Sequence, residues 1–189
     1  MKKFIFVLFA VITMAASANA QVYIGGTAGV VSFSKDNYTG DDDDETAFRI
    51  LPEIGYKINS NWAVGGVIGY EKGSLSLLGQ SQMTSKDMKA FSIAPYARWT
   101  FVHSKYVNGF LDLGFGFMSG SIDDGDFTAW NIGAKPGIEV NLSKHISFVT
   151  KVGFLGYEEF NPDGDNNNSS SFGFNVSGNN IEFGVYYNF

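Results

Sequence analysis

The sequence predicts an all-β fold, an eight-stranded antiparallel up-and-down transmembrane β-barrel, and three observations carry that expectation. Apolar and polar residues alternate with a period of two, connections between the alternating segments are by turns long and tight, and the surface is short of charge. Charged residues make up 17% of the 189-residue chain, below the roughly 25% usual for a soluble protein, while Phe and Tyr together number 27. An apolar face without enough charge around it needs lipid or protein to cover it.

The amino terminus is set aside first. Lys2 and Lys3 precede the apolar run from Phe4 to Ala16, and Ala18-Asn19-Ala20 supplies the small residues of a cleavage site, so residues 1–20 read as a signal peptide and 21–189 as one barrel domain. The run is short of the ~20 residues that span a bilayer as a helix. With no Cys, a lipid-modified cysteine is excluded. From Gln21 onward 11 basic residues stand against 19 acidic ones, a formal charge of −8, which gives no basic footprint for nucleic acid.

The strands follow in order, at about 21–34, 46–58, 62–72, 89–102, 106–119, 128–142, 146–157 and 172–189. The first leaves its inward face unassigned. In the second, Phe48, Ile50, Pro52, Ile54, Tyr56 and Ile58 alternate with Arg49, Leu51, Glu53, Gly55 and Lys57, the signature of a strand with two unlike faces. The third opens on Trp62 and sets Gly65, Gly69 and Glu71 on its polar face, and the fourth carries Arg98 beside Trp99. Asp112, Gly114 and Gly116 mark the fifth; Gly133, Lys135, Gly137 and Glu139 mark the sixth, which begins near Trp130. Lys151 and Gly153 mark the seventh. In the last, Phe172, Phe174 and Val176 are out of phase with Ile181 onward, which predicts a bulge near 177–180.

Residues 59–61, 103–105 and 143–145 form tight turns, whereas 35–45, 73–88, 120–127 and 158–171 are long connections, the two-rim asymmetry of a membrane barrel. Pro52, Pro95 and Pro136 each precede a tight turn by seven or eight residues. Each forfeits a ladder hydrogen bond, so a bulge or missing bond is expected there.

Strands of twelve or more residues suit a tilted bilayer crossing better than a soluble sheet. The glycine-rich polar face then belongs in the narrow lumen, with Arg49, Lys57, Arg98, Lys135 and Lys151 against Glu53, Glu71, Asp112, Glu139 and Glu182. Isolated charges there would be costly, so ion pairing is expected to plug the interior. A turn symmetric about Ser60 puts Arg49 opposite Glu71, and the same arithmetic puts Arg98 diagonal to Asp112 and Glu139 diagonal to Lys151. Trp62, Trp99 and Trp130 fall near strand ends, where aromatic rings favour the lipid–water boundary.

At the carboxy terminus Ile181, Phe183, Val185, Tyr187 and Phe189 alternate with Glu182, Gly184, Tyr186 and Asn188. This ending, with the segments 51–56, 94–99 and 133–138, resembles the small outer-membrane β-barrel domain family, the OmpA- and OmpX-like barrels of Gram-negative bacteria in their Bacteroidetes style. The resemblance implies outer-membrane localisation with periplasmic termini. It also implies an assembly signal in Phe183, Val185, Tyr187 and Phe189 read by the barrel-assembly machinery, and contact with outer-membrane lipid and lipopolysaccharide.

Catalytic inventory is poor. His103 and His145 fall in tight turns, His103 beside Ser104 has no orienting carboxylate, and Glu158-Glu159 sits in a long connection with no sign of burial. No cofactor or metal is expected: Asp163-Gly164-Asp165-Asn166-Asn167 begins like a calcium loop, but residue 174, where a closing Glu would fall, is Phe. The acidic long connections are expected outside the cell, and 166–171 reads as a disordered loop tip. The expectation is a monomeric, non-enzymatic barrel with a structural or surface-interaction role. A narrow channel or transporter is the competing class, and a lipid-modifying enzyme the remote third.

Overall fold

The computed structural model describes residues 21–36, 42–75, 83–122, 125–162, 168–176 and 181–189, and all regular structure among them is strand. The segments are β1 (Val22–Asp36), β2 (Asp42–Lys57), β3 (Trp62–Leu75), β4 (Met83–Val102), β5 (Val107–Ile122), β6 (Gly125–Asn141), β7 (Ile146–Val152), β8 (Phe154–Pro162), β9 (Ser169–Asn175) and β10 (Ile181–Asn188). Every pairing is antiparallel, and β1 with β10 and β5 with β6 close the sheet into a barrel. Two staves of the eight are broken, the seventh into β7 and β8 and the last into β9 and β10.

The seventh breaks at Gly153, which has φ 74°. Gly137 faces Lys151 and Ala134 faces Leu155, so three steps on β6 match four on the partner, one extra residue that turns the inward set from Ser147, Val149 and Lys151 to Phe154, Gly156 and Glu158. Only glycine adopts that backbone freely. On the last stave Asn175 faces Phe154 and Ile181 faces Val152, so six steps match two. The bulge expected at 177–180 lies outside the described residues.

The three prolines that precede the tight turns, Pro52, Pro95 and Pro136, coincide with interruptions. The β2–β3 ladder has no pairing at Leu51 and Pro52, the β4–β5 ladder none at Ala94 and Pro95, and Pro136 lies between the β7 and β8 pairings of β6, across from the Gly153 bulge. The β1–β2 and β5–β6 ladders, by contrast, are unbroken along their length.

The hairpins reach further into the long connections than the sequence suggests: β3 runs to Leu75, β4 starts at Met83, and Ile122 pairs with Gly125. Ladder bonding continues after hydrophobic alternation stops, because it needs backbone alone. Ser169, Ser170 and Ser171, expected in a disordered tip, are in β9 opposite Phe160, Glu159 and Glu158.

The tight turns are held by side chains. Asn59 Oδ1 accepts the amides of Asn61 and Trp62 at 2.8 and 2.9 Å, and Ser143 Oγ those of His145 and Ile146 at 3.2 and 3.0 Å. Nearest the second turn Val102 pairs with Gly109, three places beyond a turn symmetric about Ser104, and the bulge at Phe101, an extra residue on β4, takes one place back; the net shift of two puts Arg98 directly opposite Asp112 instead of diagonally.

Burial is inverted relative to a water-soluble fold. Ile50, Ile68, Phe91, Ile93, Ile132 and Phe183 are half or more exposed, while Arg98, Glu53 and Glu71 are 3% or less. The interior is layered. Toward the tight turns lie Tyr23, Ala63, Phe110, Val149 and Tyr186, and toward the long connections Met88, Ala90, Met118, Phe127 and Ala129 with Ile122 and Phe160 against them. Each large side chain removed from water contributes about 1.5–3 kcal/mol.

Candidate functional site

Between the two apolar layers sits a cluster of charges drawn from opposite walls. Arg98 on β4 grips Asp112 on β5 with two parallel bonds, Nε to Oδ1 at 2.6 Å and Nη2 to Oδ2 at 2.8 Å. The same Nη2 reaches Glu53 Oε1 on β2 at 3.2 Å. Lys151 on β7 crosses the lumen to Glu53 Oε2 at 2.9 Å and Asp112 Oδ2 at 3.1 Å. Two cations and two carboxylates therefore form one neutral unit. Such a unit survives burial only when its remaining lone pairs and protons are satisfied.

Tyrosines do that. Tyr96 and Tyr186 both donate to Glu53 Oε1, the latter at 2.8 Å, and Tyr23 and Tyr96 share a hydroxyl–hydroxyl bond of 2.6 Å. The guanidinium of Arg98 lies 3.9 Å from the centroid of Phe110, a cation–π contact that closes the cluster from the tight-turn side.

The remaining charges form smaller groups. Lys135 Nζ meets Glu182 Oε1 at 3.1 Å, and Thr27 donates to the other oxygen at 3.5 Å. Arg49 and Glu71 are buried and directly opposite in register. Glu139 is buried and diagonal to Lys151, but the lysine extends toward Glu53 and Asp112, because a long side chain on this narrow lumen reaches partners that strand spacing does not reveal. Lys57 Nζ donates to Asn188 Oδ1 at 2.8 Å, and Asn188 continues through Ser147 to Asn141 at the tight-turn mouth.

Glu158 corrects the sequence reading. It is in β8, buried and inward, opposite Asn131, with Ser171 donating to Oε1 at 3.1 Å. The sequence expectation of a solvated connection fails because the ladder runs on to Pro162, and the Gly153 bulge sets the phase that turns this residue inward. Above the cluster a chamber of about 70 Å³ is lined by Thr27, Ser92, Asn131, Lys135, Phe154 and Glu182, among others.

Sequence reasoning passed over the aromatic half of the cluster. Tyr96 shares phase with Arg98, and Tyr186 with Glu182 and Gly184, so the signal was available; Tyr23 lies on the strand whose inward face was unassigned. Glycines make room for these rings. A Cβ on Gly55 would fall 2.1 Å from Tyr23 Cζ, one on Gly65 2.4 Å from the Tyr96 hydroxyl, and one on Gly133 2.6 Å from the Phe154 ring.

On the outer face Trp62 and Trp99 are exposed and directly opposite one another near the tight turns. Trp130 is half-buried toward the long-connection end of β6, packed on Tyr157 and Phe115 at centroid distances of 5.2 and 6.2 Å. Phe183, Val185 and Tyr187 point outward from β10, Phe189 meets Tyr187 edge-on at 5.0 Å, and its amide donates to Val22 O at 3.0 Å. His103 and His145 are exposed in their turns and bond to the backbone carbonyls of Ser60 and Asn188. The calcium-like segment 163–167 lies outside the described residues.

Known proteins place this geometry. No curated protein matches the chain in sequence. Among solved structures, Neisserial surface protein A aligns with TM-score 0.55 and 18% identity over 89% of this chain and 97% of its own. The outer membrane protein OprG from Pseudomonas aeruginosa aligns with TM-score 0.52 and 15% identity over 89% and 94%. At such identities the likeness is one of fold. The sequence profile described as "Outer membrane protein beta-barrel domain" matches residues 4–189. The chain belongs to the outer membrane protein beta-barrel domain family.

Proposed function

We propose that this barrel has a structural or surface-interaction role in the outer membrane, with no chemistry of its own and an interior plugged by ion pairs. The neutral, buried unit of Glu53, Arg98, Asp112 and Lys151 carries this reading: it ties four staves across the lumen between two apolar layers. An ion entering would have to break charge-assisted bonds in a low dielectric. The competing reading, a narrow channel or transporter, needs a continuous wet path past Arg98–Asp112 and Arg49–Glu71.

In this reading the tight turns and both termini face the periplasm and the long acidic hairpins face outward. The exposed rings of Trp62, Trp99 and the half-buried Trp130 anchor the two boundaries, and Phe183, Val185, Tyr187 and Phe189 present the assembly signal to the barrel-assembly machinery as a monomer. Its loops and upper wall contact outer-leaflet lipopolysaccharide.

Conductance across a planar bilayer tests the plug. The purified full chain is expected to give no steady large channels, and sustained openings would overturn it. The chain has no Cys, so Ser170→Cys, exposed at the long-connection end of β9, and Ser143→Cys report orientation without background. An impermeant maleimide on intact cells is expected to label the first and not the second.

A further inference from the structure

Lys72 on β3 and Lys89 on β4 are direct cross-strand partners. Both side chains are exposed on the outer wall, because their neighbours Glu71 and Met88, 1% and 0% exposed, are committed to the interior. The pair sits near the long-connection end of both strands. Immediately beyond it the ladder slips from Lys72–Lys89 to Ser74–Thr84, with Gly73 at φ 85°.

Directly opposed residues hold their Cβ atoms about 5 Å apart, and like charges so placed repel. In a chain this acidic, carboxylates are plentiful, yet among the described residues neither lysine has an ion pair. One step toward the tight turns the outer wall turns apolar: Tyr70 pairs with Phe91, then Ile68 with Ile93, all exposed, and Phe48 packs on Tyr70 at 6.1 Å. Lys89 is flanked on its other side by Ser121. Two adjacent ammonium groups at the end of an apolar stripe match an anion that carries hydrocarbon chains.

We propose that Lys72 and Lys89 form a binding site for the phosphate of an outer-leaflet lipid headgroup, with its acyl chains along Tyr70, Phe91, Ile68 and Ile93. A phosphate oxygen accepts from each ammonium and cancels their repulsion. A free phosphate would gain the same bonds but not the stripe, so a lipid is the favoured source. The site deepens the lipid contact proposed above and rests on that orientation, which the cysteine labelling decides independently.

The test is titration of the purified full chain, folded in neutral detergent micelles, with lipid A, with dephosphorylated lipid A and with inorganic phosphate, read by native mass spectrometry. Lipid A is expected to bind the wild type at least about tenfold more tightly than its dephosphorylated counterpart, and to lose that preference in K72Q/K89Q. K72R/K89R is expected to retain it, and K105Q/K144Q, altered in the tight turns, to match the wild type. Heat-modifiable gel mobility shows that each variant is folded. Undiminished lipid A binding by folded K72Q/K89Q would overturn the site, and inorganic phosphate competing on equal terms with lipid A would overturn the lipid as its occupant. A wild type that conducts yet shows the lipid preference would remove the plugged interior and leave this assignment standing.

Discussion

Arg98 and Asp112 face one another across β4 and β5 in a two-pronged bond of 2.6 and 2.8 Å, and both side chains are buried. The guanidinium is shared with Glu53, and Asp112 is shared with Lys151, so removal of any one charge leaves the unit with an uncompensated ion. Arg98→Met is expected to destabilise the folded barrel by about 3–5 kcal/mol, measured by urea unfolding in vesicles. Arg98→Met combined with Asp112→Leu is expected to lose less than the sum of the two single changes. Strict additivity would show that the pair is not coupled.

Tyr23 and Gly55 make the second test. A methyl group on Gly55 would overlap the Tyr23 ring, whose Cζ lies 2.1 Å from the built position. Overpacking of this kind costs about 1–3 kcal/mol, so Gly55→Ala is expected to lower the unfolding midpoint by that measure. In a Tyr23→Ala background the same change is expected to lose most of its effect. An equal loss in both backgrounds would place the strain elsewhere.

Gly153 and Gly66 separate backbone strain from packing. Gly153 has φ 74°, which for Ala costs about 1–2 kcal/mol, whereas a Cβ on Gly66 meets nothing within 4 Å. Gly153→Ala is expected to destabilise by that amount, and Gly66→Ala to be neutral or stabilising by up to about 1 kcal/mol. Refolding into lipid vesicles followed by urea titration reads both.

Phe189 contributes an edge-on ring contact and one backbone bond beyond the last strand. Phe189→Ala in the refolded protein is expected to stay within about 1 kcal/mol of wild type. In cells the amount of heat-modifiable barrel in the outer membrane is expected to fall several-fold, because in the proposed role this residue is read before the barrel folds. Unchanged assembly in cells would remove the proposed role of this residue.

Hydrophobic alternation made the staves legible, and the turn at Asn59 to Asn61 made the Arg49–Glu71 register legible, because that turn is symmetric about Ser60. The Arg98–Asp112 register escaped because neither a longer turn nor the bulge at Phe101 leaves a mark in composition. Gly153 is one glycine among many on the polar face, and its positive φ leaves no mark in composition. That bulge sets the phase of β8, so Glu158 escaped with it. Which carboxylate Lys151 takes depends on the lumen's width and on Tyr96 and Tyr186 bonding to Glu53, quantities that belong to the closed barrel and to no single strand.

The interruptions at Pro52, Pro95 and Pro136 fall on the ladders that flank the tight turns, while β1–β2 and β5–β6 are unbroken and β3–β4 is continuous from Trp62 to Lys72. Mechanically the wall is then a set of stiff planks joined by perforated seams. A cantilever drawing on one terminus would extract it plank by plank, each step freeing two neighbouring staves, with the tears running down the proline lines.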